Sequence, residues 1–162
     1  TAEHMLNEIK EFEHDAGVDS RGTIWTTWKK DDCEKIEFVH DKFSISKQNV
    51  LRGLHGDNKT WKLVTCVYGK IFQVVVDARP ESKTYLKWKS FELNSENRKP
   101  ILIPPNFANG FLCLSKECVY HYKLAYTGKY YDVKNQFTIK WNDPKINISW
   151  PINKPILSER DE

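Results

Sequence analysis

Apolar and polar residues alternate with a period of two along much of this chain. The pattern is clearest in residues 118–126, where the even-numbered positions from Cys118 to Leu124 are apolar or aromatic and His121 and Lys123 fall between them. Successive side chains of a strand point to opposite faces, so this segment predicts a strand with one face toward a core. Residues 85–93 alternate in the same way and predict a half-exposed strand.

Other segments are apolar on both faces. Residues 71–77 read Ile-Phe-Gln-Val-Val-Val-Asp, a composition typical of a strand that is covered on both sides. With residues 61–68 and the intervening Gly69-Lys70 turn, they predict a β-hairpin. Shorter runs rich in β-branched and aromatic residues predict further strands at 23–28, 36–43, 101–103 and 111–114.

Short strands at regular spacing, with almost no helix, predict an all-β fold built as a sandwich or barrel, with a jelly roll as the natural candidate. Residues 31–35 predict one short helical turn capped by Asp31, and residues 5–20 give only a weak signal. From Trp141 onward, three prolines predict an extended wrapping segment. The length of 162 residues predicts a single domain over 5–162, with residues 1–4 a cloning remnant.

Charge and cysteine usage narrow the function classes. The 25 basic and 22 acidic residues are interspersed and give a net charge of only +3, which argues against nucleic acid or a membrane as partner and is compatible with a small anionic substrate. The four cysteines form no CxxC pattern, and no signal peptide or long apolar run is present. We therefore expect a cytoplasmic protein with reduced thiols.

Candidate chemistry concentrates in residues 49–57, where Arg52 and His55 flank Gly53. The fork of an arginine suits a phosphate, and a histidine transfers protons near neutral pH, so the pair suggests proton chemistry on a phosphorylated ligand. A strict period of two places Arg52 and His55 on opposite faces, and both reach one ligand only if the chain bends near Gly53. The five histidines form no His-x-His pair, which predicts that the protein has no metal site.

Seven motifs, in this order, resemble the dTDP-4-dehydrorhamnose 3,5-epimerase family over about Ser20 to Asp161. They are Arg52-Gly53-Leu54-His55, Lys62-Leu63-Val64, Gly69-Lys70-Ile71-Phe72-x-Val74-x-Val76-Asp77-x-Arg79, Ile103-Pro104-Pro105-x-Phe107-Ala108-x-Gly110-Phe111, Trp141-Asn142-Asp143-Pro144, Trp150-Pro151 and Leu157-Ser158-Glu159-Arg160-Asp161. Within that family, residues 55–60 and 65–69 look like the branch that acts on GDP-4-keto-heptoses in capsule biosynthesis.

The resemblance implies a cupin without metal or cofactor, usually a homodimer, that inverts the carbons flanking the 4-keto group of a nucleoside-diphosphate sugar. It assigns the general base to His55 in a dyad with Asp161, the opposing acid to Tyr122, and stabilisation of an enolate oxygen to Lys62. Three arginines match positions that contact the diphosphate or nucleotide in the family: Arg21, Arg52 and Arg160.

Departures from the family pattern bear on the substrate. Thr26, His40 and Lys42 stand where the family usually has Glu, Gln and Asn near the nucleotide or sugar, and loss of the Glu favours a nucleotide other than dTDP. Asn109 replaces a usual His, which leaves open whether C3 alone or both C3 and C5 are inverted, and about three residues are inserted before Trp141.

The sequence therefore predicts an epimerase of a GDP-linked 4-keto sugar, most simply a heptose. The alternatives are a dTDP-4-keto-6-deoxyhexose 3,5-epimerase, a 3,4-ketoisomerase, and a cupin that binds a sugar nucleotide without catalysis.

Overall fold

Twelve short strands carry most of the regular structure in the computed structural model, which describes residues 8–131 and 133–162. The strands are β1 Lys10–Glu11, β2 Ala16–Asp19, β3 Gly22–Trp25, β4 His40–Lys47, β5 Leu51–Gly56, β6 Trp61–Tyr68, β7 Lys70–Asp77, β8 Trp88–Asn94, β9 Ile101–Ile103, β10 Phe107–Cys113, β11 Glu117–Ala125 and β12 Phe137–Thr138. Three 3-10 turns, Lys30–Cys33, Val133–Asn135 and Glu159–Asp161, are the helical elements of the described chain. Residues 1–4, the expected cloning remnant, lie outside the described residues.

The strands form two five-stranded antiparallel sheets and a separate hairpin. Sheet 1 has the order β1-β9-β6-β11-β4, sheet 2 has the order β12-β5-β10-β7-β8, and β2 pairs with β3. A hydrophobic core joins the two sheets, with Val64 and Tyr120 from sheet 1 against Val75 and Phe111 from sheet 2. The predicted all-β sandwich is confirmed.

The inner face of β11 is the one that its alternation predicts. Tyr120 is fully buried, its ring stacks on Phe111 at a centroid distance of 4.2 Å, and its hydroxyl donates to Gln73 Oε1 at 2.5 Å. Because the buried phenol has a hydrogen-bond partner, its polar atom does not oppose burial of the ring. His121 lies on the outer face, where its Nε2 is 2.8 Å from Asp41 Oδ1.

The predicted hairpin of residues 61–68 and 71–77 is wrong. β6 pairs with β9 and β11 in sheet 1, whereas β7 pairs with β10 and β8 in sheet 2, so the chain crosses between sheets at Gly69. Gly69 has φ +85°, and a Cβ there would lie 2.4 Å from the Glu117 carbonyl oxygen. The turn signal marks the reversal of the chain, but each flanking segment is apolar enough to be an interior strand with other partners on both sides.

Several element boundaries also differ from the prediction. The strand expected at 36–43 spans His40–Lys47, the one expected at 23–28 ends at Trp25, and the one expected at 111–114 begins at Phe107. The helical turn is present, but it begins at Lys30, so its N-cap is Lys29 and not Asp31. The backbone N–H of Lys29 donates to the Asp32 carboxylate at 2.9 Å.

The segment after Trp141 has no strand, as expected, and docks on the end of sheet 2. Ile156 forms a parallel bridge with Val50, and its carbonyl accepts from the Leu51 N–H at 3.0 Å. This contact brings the turn Glu159–Asp161 beside β5. Within the described part of the chain, all four cysteines are buried and unpaired, and no helix is long and apolar enough to cross a bilayer.

Candidate active site

A bulge in β5 places Arg52 and His55 on the same cavity. In the pairing with β10, Asn109 lies opposite His55 and Phe111 lies opposite Arg52, so three steps along β5 match two along β10. The extra residue is accommodated at Gly53, whose φ is +135° and where a Cβ would lie 2.5 Å from the Gly110 Cα. A bulge of this kind re-aims the side chains that follow it. The predicted bend at Gly53 is confirmed.

The cavity has a volume of about 440 Å³ and opens between the two sheets at the end of β5. Eight of the predicted site residues line it: Lys42, Arg52, His55, Lys62, Asn109, Tyr122, Arg160 and Asp161. Its lining contains four basic side chains and two carboxylates, Asp57 and Asp161. The excess of positive charge suits a doubly charged diphosphate.

His55 is held on both sides of its ring. Its Nε2 lies 2.8 Å from Asp161 Oδ1, and its Nδ1 lies 3.1 Å from the Thr138 hydroxyl. The other Asp161 oxygen accepts from the Gly53 N–H at 3.2 Å, which fixes the carboxylate relative to the bulge. His55 and Asp161 therefore form a dyad although they are far apart in sequence. The C-terminal segment, which pairs with Val50 through Ile156, brings Asp161 to His55.

Burial lowers the pKa of His55 below its ordinary value of 6.5, although Asp161 acts in the opposite direction. The side chain is only 18 % exposed, so its protonated form is poorly solvated. At neutral pH the imidazole is neutral and has a lone pair available to accept a proton. That is the state a general base requires.

Tyr122 and Lys62 line the same cavity, and both are protonated at neutral pH, as a proton donor and a cation must be. Burial raises the pKa of Tyr122 to about 12, so its hydroxyl keeps its proton at neutral pH. Burial lowers the pKa of Lys62 to about 8, while the nearby Asp57 carboxylate raises it. At pH 7 the ammonium form of Lys62 predominates.

The remaining cations are positioned by neutral partners. Arg52 donates through Nε to the Ser46 hydroxyl at 2.8 Å, and Arg160 donates to Gln136 Oε1 at 2.7 Å. Neither guanidinium is neutralised by these contacts, so both keep donors for an anionic ligand.

Comparison with known proteins identifies the family of this chain. A family model described as dTDP-4-dehydrorhamnose 3,5-epimerase matches residues 3–162. The chain belongs to the dTDP-4-dehydrorhamnose 3,5-epimerase family.

Two relatives from this epimerase family align with most of the chain. The enzyme named dTDP-4-dehydrorhamnose 3,5-epimerase from Shigella flexneri is 39% identical over 96% of this chain and 89% of its own length. The enzyme of the same name from Salmonella typhimurium is 40% identical over 88% of this chain and 81% of its own. The predicted isomerase class, a carbohydrate epimerase, is confirmed.

Solved structures of the epimerase family share the fold. A 3,5-epimerase from Legionella pneumophila in complex with dTDP-4-keto-L-rhamnose superposes with a TM-score of 0.89, at 34% identity, over 96% of this chain and 86% of that one. This likeness confirms the predicted cupin jelly roll.

Three residues predicted from the epimerase family to contact substrate lie outside the cavity of their own chain. Arg21 is 88% exposed at the tip of the β2–β3 hairpin, where it pairs with Asp19 at 2.6 Å. Thr26 lines a separate cavity beside His14. His40 contacts the Tyr126 hydroxyl at 3.1 Å and reaches the main cavity only through the neighbouring Tyr130 ring.

Sequence reasoning missed the residues that support the site. Thr138, Ser46 and Gln136 contact His55, Arg52 and Arg160 respectively, and Tyr130 lines the cavity. β12 has only two residues, so no periodicity could reveal that Thr138 pairs opposite His55. The partial signal was the alternation of β4, which places Ser44 and Ser46 on the same face as Lys42.

Proposed function

We propose that this protein epimerises the carbons flanking the 4-keto group of a nucleoside-diphosphate sugar by deprotonation and reprotonation. The observation that carries the proposal is that a neutral histidine, held by Asp161, and a protonated tyrosine line one positively charged cavity. A ketone acidifies the adjacent C–H bonds, and inversion requires removal of a proton from one face and return of a proton to the other.

In the first step, His55 accepts the proton from the carbon beside the ketone. The electron pair of the C–H bond forms a C=C bond, and the carbonyl oxygen at C4 becomes an enolate oxygen. The ammonium of Lys62 stabilises that negative charge, since a positioned cation acts strongly in a buried site. Tyr122 then donates its hydroxyl proton to the opposite face, and both residues recover their protonation states by exchange with solvent.

The contacts of His55 support an assignment of the reacting nitrogen. Asp161 lies against Nε2 and favours the tautomer that carries its hydrogen there. Nδ1 is then the basic nitrogen, and the Thr138 hydroxyl at 3.1 Å donates to it until substrate arrives. The carboxylate also stabilises the imidazolium that forms after proton transfer.

For the substrate, a dTDP-4-keto-6-deoxyhexose inverted at C3 and C5 has the stronger support, because that is the activity in the names of the relatives. A GDP-4-keto-heptose of capsule biosynthesis is the second candidate. It is favoured by the departures at Thr26, His40 and Lys42, and by Gly56-Asp57 after the base, where the rhamnose-pathway enzymes commonly have Phe-Gln.

The test is incubation in D2O with dTDP-4-keto-6-deoxyglucose, GDP-4-keto-6-deoxymannose and GDP-4-keto-6-deoxyheptose, followed by proton NMR. Deuterium at C3 and C5 with inverted products supports the proposal and identifies the nucleotide and the carbons. Formation of a 3-keto sugar would instead identify a 3,4-ketoisomerase. Binding without any exchange would identify a cupin that only binds sugar nucleotides.

The pH dependence of kcat/KM follows from the two shifted groups. His55 must be neutral, and because its folded pKa is lowered, activity persists below pH 6.5 and is lost only at more acidic pH. Lys62 must be protonated, so activity falls as pH rises through its folded pKa of about 8. We expect Lys62→Arg to remove the alkaline limb, since arginine stays charged. An unchanged alkaline limb in this variant would contradict the role of Lys62.

We also propose that the protein is a homodimer in the cytoplasm. The edge strand β4 presents Phe43 and Ile45, which are 62% and 64% exposed, and a second copy would cover them. Arg21 is exposed and does not line its own cavity, so it can serve a substrate only if one copy supplies it to the site of another.

Light scattering coupled to gel filtration is expected to give twice the chain mass. Mixing Arg21→Ala with His55→Asn protein should then recover part of the activity, because hybrid dimers contain one site with both residues intact. No recovery in exchanging dimers would mean that Arg21 does not act across the interface.

A further inference from the structure

The ammonium of Lys59 lies inside a loop that follows β11. It donates to the carbonyl oxygens of Thr127 at 2.8 Å and Lys129 at 2.6 Å, and it lies 3.9 Å from the centroid of the Tyr131 ring. Between the two carbonyls, Gly128 adopts φ +71°, which turns the chain around the cation. Two charge-assisted hydrogen bonds and a cation–π contact therefore converge on one side chain.

The backbone of Lys59 is itself held close to β5, the strand that carries His55. Asp57 is 4% exposed, and its Oδ1 accepts from the backbone N–H groups of Lys59 at 2.9 Å and Thr60 at 2.7 Å. This turn begins directly after β5, two residues beyond His55. The position of the Lys59 ammonium is thus coupled to the strand that presents the base.

The loop held by Lys59 carries a wall of the cavity. Tyr130 lines the cavity, and its hydroxyl accepts from Lys42 Nζ at 3.3 Å. Its ring also packs edge-on against His40 at 4.9 Å. The position of this loop therefore sets the position of Tyr130 at the cavity.

We propose that Lys59 is a positioning residue that clamps residues 127–131 onto the rim of the cavity and so places Tyr130 against the bound sugar nucleotide. This inference rests on the proposed function. Without the clamp, the loop must be ordered when substrate binds, and that entropic cost weakens binding and leaves the proton transfers at His55 and Tyr122 intact.

The test compares Lys59→Met, which keeps the aliphatic stem and removes the cation, with Lys59→Arg, which keeps the charge. Lys89→Met is the matched control, because Lys89 also lies over an aromatic ring, Phe91 at 5.2 Å, but on β8 away from the cavity. We expect Lys59→Met to raise KM roughly 10- to 100-fold with kcat nearly unchanged, Lys59→Arg to restore much of the loss, and the control to match wild type.

A double-mutant cycle with Tyr130→Ala separates positioning from general stability. If Lys59 acts through Tyr130, Lys59→Met raises KM little further in the Tyr130→Ala background. Additive effects on KM, or a fall in kcat with KM unchanged, would overturn the inference.

Amide hydrogen exchange decides the inference even if wild-type protein converts no 4-keto sugar and the proposed function fails. Faster exchange confined to residues 126–131 in Lys59→Met supports the clamp, and wild-type protection of that loop overturns it.

Discussion

Substitution of His55 by Asn is expected to lower the rate of deuterium incorporation at C3 and C5 by about 10²- to 10⁴-fold, the usual contribution of a positioned general base. Asparagine preserves a polar side chain beside Asp161 and Thr138 but has no basic nitrogen. Because epimerisation begins with removal of this proton, inversion should be lost in the same proportion. Proton NMR in D2O measures both quantities in one sample.

His121→Asn is the matched control for this experiment. His121 is also largely buried and also lies 2.8 Å from a carboxylate, that of Asp41, but on the outer face of β11. We expect this variant to retain wild-type exchange. Exchange at the wild-type rate in His55→Asn would rule out His55 as the base.

Tyr122→Phe is expected to separate exchange from inversion. His55 remains able to remove and return a proton on its own face, so deuterium still enters the substrate with retained configuration. Inversion should fall by about 10²-fold or more, because no acid is present on the opposite face. The aromatic ring keeps its edge-on contact with Tyr120 at 4.7 Å, so the fold is preserved.

Tyr68→Phe serves as the control, since Tyr68 lies at the end of β6, is 59% exposed and does not line the cavity. Parallel loss of exchange and inversion in Tyr122→Phe would mean that Tyr122 supports the first proton transfer. Unchanged inversion would assign the acid to another group.

The sequence predicts the parts of this molecule that depend on local pattern. Alternation in residues 118–126 identifies the inner face of β11, and Gly53 identifies where β5 bends, because both effects act within a few residues. Strand pairing depends on contacts far apart in sequence. The crossing at Gly69 therefore looks like a hairpin until the partners of β6 and β7 are known.

The same distinction applies to the site. The resemblance assigns the proposed chemistry to His55, Lys62, Tyr122 and Asp161, and the structure brings all four to one cavity. Thr138 and Lys59 act through contacts that span 68 to 83 positions and have no local signature. Thr26 and His40, which the resemblance places near the nucleotide or sugar, do not line this cavity.

The proposed activity depends on Asp161, which belongs to a C-terminal segment, residues 156–161, that few contacts hold in place. Asp161 is placed by the Ile156 bridge, by the pairing of Arg160 with Gln136, and by its contact with Gly53, without a strand pairing of more than one residue. Local unfolding of this segment would separate Asp161 from His55 while both sheets stay folded. On gentle heating, activity should therefore disappear before the sandwich melts. Because this segment lines the cavity, a ligand bound there should delay that loss.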